Sequence, residues 1–120
     1  LYNEDVPMYG DGNTYRDYTY VDDIVEGIYK SSSYVMNNCD VYEIVNLGNS
    51  KPVKLKEMIK TIEDEIGIKA KINQMPMQAG DVTRTYADIT KAKNLIDYSP
   101  KVSFKQGIQN TVKWYNENIL

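Results

Sequence analysis

Residue types that could do chemistry gather in three stretches of the sequence. Gly10-Asp11-Gly12-Asn13-Thr14-Tyr15-Arg16-Asp17-Tyr18 sets two glycines ahead of one arginine. Glycine lets the backbone turn sharply and come close to a ligand, and a guanidinium offers a fork of donors matched to phosphate oxygens. The same residues also fit a surface turn with Arg16 and Asp17 as a solvated pair. Tyr18-Thr19-Tyr20-Val21-Asp22-Asp23-Ile24 carries two adjacent carboxylates. They suit the start of a helix, where an acid meets the positive end of the dipole. The alternative, a catalytic pair, is poorly served by adjacent side chains that diverge. The third stretch runs from Met75 to Asp88 and includes Gln78, Gly80, Asp81 and Arg84. Asp81, following a glycine, can accept from two neighbouring hydroxyls such as those of a ribose, and Arg84 can reach an anion. A polar connection in which Asp81 and Asp88 cap turns is the other reading.

What is missing narrows the chemistry further. Without histidine the chain has no Ser-His or Cys-His machinery and no imidazole ligand for a metal. Gly10 and Gly12 are the only close pair of glycines, which does not make a dinucleotide loop. None of the 11 tyrosines is followed by lysine four residues later. The single cysteine, Cys39, excludes an internal disulfide and fits a reducing cytoplasm. The net charge of -3 is spread without a basic stripe, which speaks against nucleic acid as a partner. There is no run of 18 apolar residues of the kind that spans a membrane.

These residues need elements to position them. After a loop with short extended pieces near Met8–Tyr9 and Thr19–Val21, a helix is expected. Asp22 or Asp23 is its cap, Ile24, Val25, Ile28 and Val35 its apolar stripe, and Asn37–Asp40 its end. Val41–Leu47, apolar on both faces, reads as a buried strand of a parallel sheet. Lys54–Ile66 repeats its apolar residues at helical spacing, and Gly67 stands at the C′ position. Lys69–Gln74 alternates as a half-buried strand with Ala70 and Ile72 inward. Thr90 caps a short helix through Ile96. Ser103 and Gln106 form a capping box for a last helix lined by Phe104, Ile108, Val112 and Tyr115. The result is one α/β domain over residues 1–120. Its two strands are few for a sheet, and a first residue of leucine rather than methionine fits a piece of something longer.

Taken in order, these segments resemble the extended short-chain dehydrogenase family of NAD-dependent nucleotide-sugar epimerases and dehydratases. The resemblance rests on Gly10-Asp11-Gly12 through Arg16-Asp17-Tyr18, Tyr20-Val21-Asp22-Asp23, Tyr42-Glu43-Ile44-Val45-Asn46-Leu47-Gly48, Gly80-Asp81-Val82, Tyr86-Ala87-Asp88 with Ala92 and Lys93, Pro100-Lys101, and Gly107 to Trp114-Tyr115. It implies the C-terminal, substrate-binding part of a Rossmann-type enzyme, inactive by itself. NAD and the Tyr-x-x-x-Lys pair would belong to an N-terminal half. It further implies that Arg16 contacts the diphosphate of a UDP-sugar and Asp81 the ribose hydroxyls. Val21 would lie near the base or ribose and Asn46 at a strand end facing the cleft, while Asp23 stays structural as the helix cap. Many galactose-type 4-epimerases carry an arginine where this chain has Gln78. The run from Met75 to Asp88 looks closer to UDP-glucuronate 4-epimerases, with Arg84 supplying the second cation. A homodimeric, cytoplasmic parent enzyme is expected. A free-standing UDP-sugar binding module and a 4,6-dehydratase are the alternatives.

Overall fold

The computed structural model describes residues 4–119. Its elements are β1 (Val6–Tyr9), β2 (Tyr15–Arg16), α1 (Val21–Asn37), β3 (Val53–Lys54), α2 (Leu55–Ile66), β4 (Ile72–Met75), α3 (Thr90–Ile96) and α4 (Phe104–Asn118). β1 and β4 pair in parallel, from Val6 opposite Ile72 to Tyr9 opposite Met75. β2 and β3 pair antiparallel, with Arg16 opposite Val53. The molecule is a plate of 54 × 37 × 18 Å. A helix with its side chains is about 10–12 Å across, so the plate is too thin to bury many residues. Ala92, Ile96 and Tyr98 form its core, packed by Tyr34, Val45, Leu47, Ile89 and Leu95.

Local signals in the sequence set the element ends. Gly67 closes α2 in the left-handed conformation at φ 71° and donates to the Glu63 carbonyl. The Ser103 hydroxyl accepts from the Gln106 amide at the start of α4. The other half of the expected capping box does not form; the Gln106 side-chain NH2 donates to the Asn110 side-chain oxygen. α3 does begin at Thr90, but the acceptor for its first amide is the Asp88 carboxylate. β4 lies a little later than Lys69–Gln74, and its residues are exposed.

Two expectations about α1 fail. Tyr20, without a side-chain hydrogen bond, stands at its N-cap, and Thr19–Val21 holds no strand. Asp23 is buried, and its carboxylate accepts from the backbone N–H groups of Lys101 and Val102 at 2.9 and 3.1 Å. It is structural, as expected, but as a tether for the chain entering α4. The buried residues of α1 are Asp23 and Gly27. Val25, Ile28 and Val35 are each more than half exposed. Periodicity finds the apolar stripe of a helix but does not tell which neighbour comes to it. Here Gly27 lets Leu47 and Tyr98 pack so close that a Cβ would meet them at 2.8 to 3.0 Å.

Val41–Leu47 forms no strand. Nor is it buried on both faces as expected: Val45 and Leu47 pack on the core cluster, while Tyr42 and Ile44 face out. No described segment pairs its backbone, and an apolar run alone makes no ladder.

Candidate functional site

Arg16 and Asp81, 65 residues apart in sequence, meet directly: the Arg16 guanidinium donates to the Asp81 carboxylate. β2 brings Arg16 there. Tyr15 bridges to Arg84 in parallel, its amide donates to the Thr83 carbonyl, and the Thr85 amide donates back to the Tyr15 carbonyl. A second Arg16 nitrogen donates to the Tyr15 carbonyl at 2.8 Å. On the other side, the Asp81 amide closes a turn onto the Gln78 carbonyl at 3.2 Å, with Gly80 at φ 81° inside it. Both side chains remain about a third exposed (27 and 32%), so the pair is open to a ligand. An arginine fork beside a carboxylate that accepts hydroxyls can take a phosphate and a vicinal diol together.

Arg84 does not join this pair. Its guanidinium lies over the rings of Tyr15 and Tyr86, 5.7 and 5.8 Å from their centres. Tyr15 and Arg16 are neighbours on β2, so their side chains leave opposite faces, and Arg84 goes with Tyr15. Lys54 completes the cluster at 5.5 Å from the Tyr15 ring. Asn46 donates to the Asp88 carbonyl at 3.2 Å. It lines a separate open cavity of about 420 Å³ with Asp17, Thr19, Leu47, Gly48 and Tyr86. Val21, the first residue of α1, is exposed, and Gln78 contributes its carbonyl to the turn. Of the six residues expected to bind substrate, the structure brings two into contact.

Asp17 is the residue that sequence reasoning passed over. It does not pair with Arg16. Its carboxylate accepts from the backbone N–H groups of Ser50 and Ala87, both at 3.0 Å, and of Lys51 at 3.4 Å. Its own amide donates to the Thr85 hydroxyl at 3.0 Å. Gly48 passes between Asp17 and Ala87 so closely that a Cβ there would collide with Ala87 and sit 3.0 Å from the Asp17 carboxylate. The signal was the glycine in Leu47-Gly48-Asn49, which a strand-ending turn accounted for equally well. Among the described residues no group of acids and cysteine could hold a metal ion.

The GDP-mannose 4,6 dehydratase family model matches residues 1–111. The chain belongs to this family. It is 40% identical over 115 residues to a UDP-glucuronate 4-epimerase of Thermodesulfobacterium geofontis, covering 95% of this chain and 34% of that protein. Its fold matches the UDP-glucose 4-epimerase of Thermotoga maritima, solved with UDP-glucose, at a TM-score of 0.86 and 30% identity, over 98% of this chain and 37% of the other. It matches equally well the UDP-glucuronic acid 4-epimerase of Bacillus cereus, solved with UDP-glucuronic acid and NAD, at a TM-score of 0.86 and 28% identity. That match covers 96% of this chain and 36% of the other. The chain is thus a mixed α/β unit corresponding to the C-terminal part of Rossmann-type epimerases. It spans about a third of the length of these relatives.

Proposed function

We propose that the chain is the substrate-gripping part of an NAD-dependent nucleotide-sugar 4-epimerase acting on a UDP-sugar of the glucuronate or glucose type. The Arg16–Asp81 pair carries the proposal. Arg16 holds the diphosphate and Asp81 the ribose hydroxyls, so the nucleotide stays bound while the sugar turns between faces, a positioning contribution rather than a chemical one. Gln78 and Arg84 flank this grip, and Val21 and Asn46 are assigned to the rest of the substrate surface.

The chain's own residues do not fit NAD. They supply neither a glycine-rich turn nor a tyrosine with lysine four residues on. The dinucleotide and the hydride chemistry belong to a Rossmann half, and the isolated piece is inactive. The exposed stripe of α1 and the unpaired backbone of residues 41–47 suit a sheet of that half. The whole enzyme is then a cytoplasmic homodimer. The family model's description favours 4,6-dehydration as the second reading, and the same grip serves either reaction.

Titration calorimetry with UDP, and with uridine as the control, tests the proposal on this chain. A charged hydrogen bond contributes ~1.5–3 kcal/mol. Arg16→Ala is therefore expected to weaken UDP about 10- to 150-fold and uridine hardly at all. A loss below about threefold for UDP, ~0.65 kcal/mol, refutes the assignment.

A further inference from the structure

We infer that Asp17 is the positioning residue of the nucleotide grip, acting through Arg16; the inference rests on the reading of Arg16 and Asp81 given above. A carboxylate has about four lone-pair sites, and backbone N–H groups of Ser50, Lys51 and Ala87 take up three of them. Asp17 is thereby committed to the backbone, and Arg16 is left for Asp81 and a ligand.

The same bonds fix where Arg16 stands. They join three stretches far apart in sequence: β2, the Gly48–Lys51 turn, and the Thr83–Ala87 strip that leads back to Asp81. The turn is itself held under constraint. Ser50 sits at φ 56°, a left-handed conformation that costs a non-glycine residue energy and persists only when its surroundings impose it. Its hydroxyl donates to the Ala87 carbonyl. The Thr85 hydroxyl holds the Asp17 amide. Arg16 is one peptide bond from this junction and Asp81 four residues from Thr85, so the separation of the two ligand-holding groups is set by the anchor between them.

The experiment is a double-mutant cycle on the chain, with UDP affinity measured for Asp17→Asn, Arg16→Ala and both together. An asparagine retains one acceptor oxygen but turns an NH2 toward backbone donors. Asp17→Asn is expected to weaken UDP about tenfold, ~1.4 kcal/mol. In the Arg16→Ala background it should cost less than about twofold further, because residues acting through one another are not additive. Equal losses in the two backgrounds, or none in either, overturn the inference. Should Asp17→Asn not fold, Thr85→Val replaces it in the same cycle, removing only the hydroxyl that holds the Asp17 amide. Amide hydrogen exchange is the second readout: Ser50, Lys51 and Ala87 should exchange at least about tenfold faster in Asp17→Asn, with α2 and α4 unchanged. Failure of the unmutated chain to bind UDP overturns the nucleotide reading instead, and the exchange of those three amides then judges the anchor separately.

Discussion

Replacing Tyr98 with phenylalanine removes one oxygen from the centre of the molecule. Tyr98 is 1% exposed, and its hydroxyl donates to the Gly48 carbonyl at 3.1 Å. No other hydrogen bond to that carbonyl occurs among the described residues. The ring stays, so the packing against Ala92 and Ile96 is retained and the cavity left behind is small. The cost is one hydrogen bond, about 0.5–1.5 kcal/mol, plus part of the penalty for a carbonyl left unpaired, which brings the expectation to ~1–2 kcal/mol. Unfolding entropy is about 2.1 cal/mol/K per residue, or roughly 0.25 kcal/mol/K for 120 residues. The midpoint of thermal unfolding, followed by circular dichroism, should fall about 4–8 °C. Tyr98→Ala also empties the core and should cost ~3–5 kcal/mol. A second arm uses pH. Burial, and then the charge of Asp23, push the Tyr98 hydroxyl above its ordinary value. The stabilisation linked to it is complete below the unfolded value of about 10 and is lost as pH rises through the folded one. Tyr98→Phe should flatten that part of the alkaline fall. A midpoint within about 1 °C of the unmutated chain, with the alkaline limb unchanged, refutes the reasoning.

Three further outcomes are expected. Arg16→Ala should separate UDP from uridine in calorimetry, as set out above. Gly67→Ala forces a Cβ into the left-handed conformation at φ 71° without any neighbour within 4 Å; the cost is backbone strain alone, ~1–2 kcal/mol, readable by urea denaturation. Glu63 lies below its ordinary 4.5, first through the hydrogen bond from Lys69 and then through that from the Ala70 amide. A depressed carboxylate contributes stability above its unfolded value, lost as pH falls through the folded one. Glu63→Gln should therefore show a shallower acid decline in a pH series of thermal scans.

Sequence reasoning reached some parts of this molecule and missed others for physical reasons. α2 was legible because its signals are local: apolar residues repeat at helical spacing and Gly67 ends it where a left-handed residue is needed. The meeting of Arg16 and Asp81 was implied only through the family resemblance, since nothing local connects residues 65 apart. Val41–Leu47 reads as a buried strand because it is apolar on both faces, but a strand also requires a neighbour, and its backbone pairs with none among the described residues. Arg84 illustrates a third limit. Its place in the chain suggested a second phosphate contact but not its surroundings: its guanidinium lies over the rings of Tyr15 and Tyr86. Counting residues does not fix those surroundings without the register of the bridge.

The core reaches the grip through one contact, between Tyr98 and Gly48, which has a consequence for any variant of this chain. Tyr98 belongs to the small cluster with Ala92 and Ile96, and its hydroxyl holds Gly48. Gly48 in turn is pressed between Ala87 and the carboxylate of Asp17. A shift of Tyr98 therefore passes to Gly48, from there to the Asp17 anchor, and from Asp17 to Arg16 one peptide bond away. In a thick domain, a core change of a few tenths of an ångström is absorbed by several layers of side chains. Here no such layers lie between core and grip: Gly48 touches Tyr98 on one side and Asp17 on the other. Substitutions in the core should thus change nucleotide affinity together with stability, whereas those on the far ends of α2 and α4 should change stability alone.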